Sequence, residues 1–172
     1  VPAAEAVDPQ WFADAAFVGD SVSVMLENYN TSTGRLGSPA FFCSVSLSQT
    51  NALSYQAGNA RLPEYPKGSG QHPLVADGIA SAGAKKVYLM LGMNCIAGGV
   101  DRASQDLVTL VDQILAKSPE AAIFIQSVTP MTADSPRADD ALNNGTIQAF
   151  NERMRQICQE KQWYFVNVAE AV

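Results

Sequence analysis

Five short, mainly apolar runs separated by stretches of helical periodicity are the feature that most narrows what this chain can form. The runs are Ala15 to Val18, Pro39 to Val45, Lys85 to Leu91, Ala121 to Gln126 and Trp163 to Val168. The first is too continuously apolar for a half-exposed hairpin strand and reads as a buried strand of parallel type. Helical patterns fill the intervals. One follows Ser21 and runs to about Asn28, where Asn30-Thr31-Ser32-Thr33-Gly34 is expected to end it. A second is built on Leu74, Val75, Ile79 and Ala82. A third has Leu107, Leu110, Val111, Ile114 and Leu115 on one face and stops at Lys117-Ser118-Pro119. A fourth spans Asn144 to Gln162, with Ile147, Phe150, Met154 and Ile157 inward. Asp8 to Ala13 reads as a short helical lead-in that lays Trp11 and Phe12 on the body of the domain.

Strands alternating with helices call for a parallel sheet covered on both faces. The expected fold is α/β, a flavodoxin-like three-layer α/β/α sandwich around a five-stranded parallel sheet. No repeat, low-complexity run or linker divides the chain, so residues 1–172 are read as one domain. Hydrophobic residues make up 47% and charged residues 16%, enough apolar surface for a substantial core. The formal net charge of -6 argues against nucleic acid or an anionic membrane as the main partner, since either favours a basic face. A small or neutral ligand and a monomeric state are expected. No apolar run has the length of a membrane span. Cys43, Cys95 and Cys158 are odd in number and lack metal-type spacing, so they read as buried thiols, and no metal or cofactor is implied. Asn30-Thr31-Ser32 and Asn144-Gly145-Thr146 match the glycosylation triplet, a pattern common by chance.

The residues able to do chemistry fall where strands end. Ala16-Phe17-Val18-Gly19-Asp20-Ser21 carries a buried strand through a tight turn directly into a helix. Gly19 lets the backbone turn closely and Asp20 can cap the helix. Ser21 is left with its hydroxyl pushed outward and its N–H among the unpaired donors of a helix start. Ser46 follows the second strand, in Ser44-Val45-Ser46-Leu47. Gly92-Met93-Asn94-Cys95 follows the third and offers a side-chain amide at the same sheet edge. In open parallel sheets ligands collect there. His72, in Gln71-His72-Pro73, is the one histidine of the chain, so Ser–His chemistry within these residues would have to use it. Its place just before a helix start favours a loop role. Ser48 to Gly70 is expected as a surface excursion, and Met131 to Leu142 as a loop on the rim of the site.

Gly19-Asp20-Ser21 and Gly92-Met93-Asn94 together resemble the first and third blocks of the SGNH (GDSL-type) hydrolases. The likeness is to bacterial members that carry Phe-Val/Ile-Gly-Asp-Ser after an aromatic lead-in and continue Val-Tyr-x-Met-Leu-Gly-x-Asn. Gln126 to Met131 and Phe150-Asn151 resemble their later segments. The resemblance implies that Ser21 is an acyl-accepting nucleophile whose own N–H is one oxyanion donor. It implies a second donor in the backbone N–H of Ser46, where the family has glycine, and a third in the Asn94 amide. Gly19, Asp20, Gly92 and Cys95 shape the site, Cys95 standing where the family often has an acidic residue.

The resemblance also implies a general base from an Asp-x-x-His block shortly after the fifth strand. That block is not found in these residues: Glu170 is the last acidic residue and no histidine follows. Two functional expectations result. One is an esterase or O-acyl hydrolase of small acyl esters, such as an O-acetyl group on a saccharide, in a chain cut short of its base. The other is a catalytically silent relative that binds an acyl or sugar ligand in the same cleft. A flavodoxin-like signalling domain with an anion at the Gly19–Ser21 turn ranks below both, for want of a phosphate-cradling glycine loop. Relatives of this kind often sit outside the cytoplasmic membrane, and the start Val1-Pro2-Ala3-Ala4-Glu5-Ala6 reads as a mature end, so an extracytoplasmic or secreted location is expected.

Overall fold

The computed structural model describes residues 6–54, 61–132, 134–135 and 141–171. Within them, β1 (Ala15–Gly19), β2 (Ala40–Cys43), β3 (Lys86–Met90), β4 (Ala122–Gln126) and β5 (Tyr164–Val166) form one sheet in the order β2-β1-β3-β4-β5. Every neighbouring pair is parallel, as the strand–helix alternation requires. β1 runs one residue beyond its apolar run, and the other strands are shorter than theirs because flanking residues leave the ladder to start the loops. The helices are α1 (Ser21–Thr33), α2 (Gln49–Ala52), α3 (Val75–Ala82), α4 (Val100–Lys117) and α5 (Asn144–Lys161).

Side chains alternate across the sheet and sort it into two unequal faces. Ala16, Val18, Phe42, Val87, Leu89, Ile123 and Ile125 lie in the main core with the apolar faces of α3, α4 and α5. The inward stripe of α4, Leu107, Leu110, Val111 and Ile114, is fully buried; burying each such side chain is worth about 1.5–3 kcal/mol. α3 packs close to β2: a Cβ on Gly78 would stand 2.4 Å from the Phe42 ring.

The opposite face is aromatic. Phe41, Phe17, Tyr88, Phe124 and Tyr164 stack in a row, with neighbouring ring centroids 5.4, 4.8, 4.5 and 4.7 Å apart. The lead-in is a 3-10 turn, Pro9–Phe12, which sets Phe12 against Phe17 and Tyr88 and lets Trp11 Nε1 donate to the Tyr88 hydroxyl at 3.1 Å. α1 covers β1 and β2 here, while Tyr164 at the far edge is 59% exposed. The two-sided cover expected from the sequence is therefore complete on one face and partial on the other, among the described residues.

Two sequence expectations need correcting. α1 does not stop near Asn28; it continues to Thr33 and ends on Gly34, whose φ of 65° suits the left-handed cap. The Thr31, Ser32 and Thr33 hydroxyls donate back to carbonyls of Glu27 and Tyr29, so they extend the helix instead of breaking it. The segment after Ser48 is also less superficial than expected. Its described part opens with α2, capped by Ser48 with Asn51 returning the bond, and buries Gln49, Ala52 and Leu62; residues 55–60 lie outside the described residues, as do residues 1–5 of the expected mature end. Cys158 is buried, Cys43 and Cys95 are half-buried, and all three are free thiols.

Asn30 shows why the α1–β2 connection holds. It is buried, its Nδ2 donates to the Gly37 carbonyl at 3.1 Å and its Oδ1 accepts the Leu36 N–H at 2.7 Å. The side chain thus replaces backbone partners for the loop and is occupied inside the fold, which removes it as a glycan acceptor. Asn30→Ala removes both hydrogen bonds, to the half-buried Leu36 N–H and the exposed Gly37 carbonyl, and is expected to cost about 1–2 kcal/mol. Urea unfolding checks this; an unchanged midpoint would show that the bridge is dispensable.

Candidate active site

The carboxyl ends of β2, β1 and β3 stand side by side, with Gly19 level with Cys43 on one side and Met90 on the other. From this row the chain leaves in three loops, carrying Ser21, Ser46 and Asn94. β1 has the least room. A Cβ on Gly19 would lie 1.9 Å from Ser23 Oγ and 2.9 Å from the Met90 carbonyl oxygen, so only glycine lets the strand turn straight into α1.

Asp20 then caps the helix: its Oδ1 accepts the Val22 N–H at 3.0 Å. It is only 3% exposed. Burial pushes its carboxyl above the ordinary aspartate range, opposed by the backbone hydrogen bonds it accepts. Ser21 follows as the exposed first residue of α1, where a backbone N–H has no acceptor within the helix.

Ser46 stands where glycine was the family expectation, and the lost torsional freedom was the concern. The structure puts it in the left-handed region all the same, at φ 65°. The surrounding loop holds it there. Asn51 Nδ2 donates to the Ser46 carbonyl at 2.9 Å, and the Ser48–Asn51 capping box fixes the turn that follows. A strained residue persists where its neighbours over-determine it.

Asn94 Nδ2 donates to the Leu47 carbonyl at 2.9 Å, which ties the β3 loop to the β2 loop one residue past Ser46. An amide carries two hydrogens, so one positions the side chain and the other is left for a ligand. Upstream, a Cβ on Gly92 would meet Val128 Cγ2 at 2.7 Å and the Phe150 ring at 2.9 Å. The Cys95 and Ile96 N–H groups both turn back onto the Gly92 carbonyl, at 2.9 and 3.0 Å. Cys95, where an acid was the family expectation, donates its thiol to the same carbonyl at 3.5 Å. Burial pushes that thiol up to about 12, so it is neutral near pH 7. Burial raises the Cys43 and Cys158 thiols as well.

Ser46, Asn94 and Cys95 line one cavity of about 460 Å³. His72 lines another, of about 510 Å³, with Glu27, Cys43 and Lys67, and its Nδ1 lies 2.7 Å from the Leu62 carbonyl oxygen. Ser21 borders neither. The structure thus brings Ser46 and Asn94 together and leaves His72 outside their cavity, in the loop role its sequence position favoured.

Sequence reasoning missed the roles of Ser127 and Asn151. Ser127, 1% exposed at the end of β4, accepts the Ala169 N–H at 2.8 Å and donates to Asn167 Oδ1 at 3.3 Å. Asn151 on α5 pairs with both the N–H and the carbonyl of Val128, at 2.8 and 2.9 Å. The signal available in the sequence was a small polar residue directly after a buried run. A further cavity of about 630 Å³ opens beside them, lined by Asn151, Arg155, Asn167 and Glu170 among others. Among the described residues no group of three or more His, Cys, Asp or Glu side chains could hold a metal ion, and no helix is long and apolar enough to cross a membrane.

The sequence model of the GDSL-like lipase/acylhydrolase family matches residues 17–172. No curated protein sequence matches the chain. Solved structures with this fold include a GDSL-like lipase from Bacteroides thetaiotaomicron, 16% identical with a TM-score of 0.66, covering 95% of this chain and 71% of its own. A family 3 carbohydrate esterase from Clostridium thermocellum is 17% identical with a TM-score of 0.58, covering 91% of this chain and 78% of its own. One from Talaromyces cellulolyticus is 14% identical with a TM-score of 0.56, covering 89% and 77%. The chain spans 68% and 66% of the length of two further bacterial structures of the same fold.

Two expectations come from this geometry. Ser46→Gly releases the left-handed penalty on a side-chain-bearing residue, at the cost of a freer unfolded chain, for a net gain of about 0.5–1 kcal/mol; a lowered urea midpoint contradicts it. For Asp20, a carboxyl raised by folding binds its proton more tightly in the folded chain than in the unfolded one. Stability is then lost as pH rises from the unfolded carboxylate range through the raised folded value, and the loss is constant above it. Asp20→Asn keeps a capping oxygen and removes this loss. Its unfolding midpoint is expected to gain on that of the parent as pH rises from the ordinary aspartate range, about pH 4, and a gap that shrinks on that rise reverses the assignment.

Proposed function

The chain belongs to the GDSL-like lipase/acylhydrolase family, and from that premise we propose that it is a serine ester hydrolase acting through Ser21. Ser21 Oγ adds to the ester carbonyl carbon while its proton passes to a base. The carbonyl oxygen takes up the negative charge and is held by the N–H groups of Ser21 and Ser46 and by the second Asn94 amide hydrogen. Collapse expels the alcohol and leaves an acyl-serine. Water repeats the addition and frees the acid. Each such donor is typically worth about 3 kcal/mol of transition-state stabilisation.

The observation that carries this reading is the bond from Asn94 Nδ2 to the Leu47 carbonyl. It holds a side-chain amide beside the Ser46 backbone at the sheet edge from which Ser21 also emerges, where a developing oxyanion needs preorganised donors. The Asp-x-x-His block that the family resemblance implies is not among these residues, and His72 belongs to the other cavity. No base is therefore assigned here. The proposed substrate is a small acyl ester, with an O-acetylated saccharide supported by the carbohydrate esterases that share the fold. An extracytoplasmic location and a monomeric state complete the proposal.

The placement of His72 favours a second reading, a catalytically silent domain that binds an acyl or sugar ligand in the same cleft. Release of nitrophenolate from 4-nitrophenyl acetate separates the two. Serine hydrolases lacking a triad member keep a residual acceleration of roughly 10³–10⁴ over water from oxyanion donors and binding. Ser21→Ala is left with at most that and is expected to release nitrophenolate more slowly than the parent chain, whose release depends on Ser21. Asn94→Ala lowers it by about 10²–10³, and His72→Gln leaves it unchanged. Equal release by the parent chain and Ser21→Ala would sink the hydrolase reading and leave the binding domain.

A further inference from the structure

Two cavities flank the chain where it leaves β2. Ser46 belongs to one, with Asn94, while Ser44 and Val45 belong to the other. The first is walled largely by polar side chains, among them Ser48, Thr50 and Asn51. The second has an apolar wall, made by Val24 of α1, Phe41 of β2, Val45, Leu62, Pro63 and Tyr65. Leu62 is 1% exposed and Pro63 is buried, while Val24, Phe41 and Tyr65 are half-buried. The position of this cavity matters as much as its lining. Ser21 opens α1 one turn before Val24, and Val45 immediately precedes Ser46. Val45 is 64% exposed, and Met25, one turn after Ser21, is 63% exposed, so the approach to Ser21 is itself apolar.

The charged and titrating groups around the second cavity are already engaged. Glu27 pairs with Lys67, and Glu64 accepts the Gly70 N–H at 2.6 Å. The Cys43 thiol donates to the Phe17 carbonyl at 3.5 Å, and burial raises it, so it is neutral near pH 7. His72 Nδ1 lies 2.7 Å from the Leu62 carbonyl oxygen, and the Tyr65 N–H donates to the Gln71 carbonyl at 2.9 Å. The segment 62–72 is thereby braced across its own turn, and Tyr65 packs on Phe42 with ring centroids 4.6 Å apart. What these bonds leave for a ligand is chiefly hydrocarbon surface, around a space of about 510 Å³.

We propose that this cavity receives the hydrocarbon chain of the ester's acyl group, with Val24 and Val45 at its entrance, while the alcohol side of the ester faces the polar cavity beyond Ser46. This deepens the ester-hydrolase reading and rests on it for the identity of the ligand as an ester. The preferred acyl groups are then longer than acetyl, carried on a polar alcohol such as a saccharide. Each methylene that leaves water for the apolar wall strengthens binding about fourfold. The two cavities divide the substrate by polarity, and the loop from Ser44 to Ser46 is the partition between them.

The test measures binding, not turnover, so that it stands apart from the hydrolase reading. Magnetic resonance shift titration of the Ser21→Ala protein, which lacks the proposed nucleophile, compares methyl butyrate with methyl hexanoate. The hexanoate is expected to bind about tenfold more tightly and to shift the amides of Val24, Val45 and Lys67. Pentyl acetate, its isomer with the tail on the alcohol, is expected to bind less tightly than the hexanoate. Val24→Phe fills the entrance and is expected to abolish the chain-length preference. Val45→Asp, at an exposed position that the fold tolerates, is expected to weaken the hexanoate more than the butyrate, and Tyr164→Ser, at the far edge of the sheet, to leave the preference intact. No binding of methyl hexanoate at millimolar concentration, equal affinity for hexanoate and butyrate, a preference that survives both Val24→Phe and Val45→Asp, or pentyl acetate binding as tightly as the hexanoate each overturns the acyl site. Failure of the hydrolase reading shows separately, as nitrophenolate release from 4-nitrophenyl acetate that does not depend on Ser21.

Discussion

β1 is hydrogen-bonded on both sides, between β2 and β3, and everything at the site depends on how it leaves that position. A central strand has spent its backbone donors and acceptors on its neighbours, so the chain can become a helix only by turning within one or two residues. Gly19 makes that turn where a Cβ would collide with Ser23 and with the Met90 carbonyl. Because β2 and β3 are paired level with Gly19, their own exits fall on either side of it. The three loops are close because the register of three parallel strands is shared, and no contact between the loops is needed to explain it.

That dependence explains what could be read from the sequence. Fold class and the succession of strands and helices along the chain follow from buried runs alternating with helical periodicity, which local composition records directly. Gly19, Asp20, Ser21 and Asn94 were legible because strand ends in a parallel sheet are where polar residues have a reason to be. Element ends were less legible. Thr31 to Thr33 look like a helix stop, yet bond back to the preceding turn. The buried positions after Ser48, and the pairing of Asn151 with Val128, are long-range facts that no local pattern encodes. Ser46 is the instructive case. Its residue type argues against a left-handed backbone, and the bond from Asn51 together with the α2 cap overrules it.

The two faces of the sheet serve different ends. α3, α4 and α5 close the aliphatic face and thereby fix Gly92 and Asn94, because Phe150 of α5 packs into the space that a side chain at Gly92 would fill. The aromatic face is held by stacked rings and by the Trp11–Tyr88 bond, with α1 above β1 and β2. Ser21 opens the helix on the aromatic side, whereas Asn94 is positioned by packing on the aliphatic side. The rigidity of the candidate site thus draws on both layers through the strands between them.

The electrostatics of the turn explain why one helix start would not suffice for the proposed oxyanion. The start of α1 supplies unpaired N–H groups and positive potential, but its cap is Asp20, a buried carboxyl that takes the Val22 N–H for itself. When ionised, that carboxylate opposes any second negative charge nearby. Burial works in the other direction, raising the carboxyl and making the neutral form easier to reach. What remains of α1 for a developing oxyanion is chiefly the N–H of Ser21. Donors from outside the helix are then required, and the neighbouring loops are the nearest source. Ser46 offers a backbone N–H held by a strained torsion, and Asn94 an amide held by Leu47. Neither brings a negative charge with it. A site assembled from three strand ends separates the residue that shapes the turn from the groups that would receive the charge, and a single capped helix cannot make that separation.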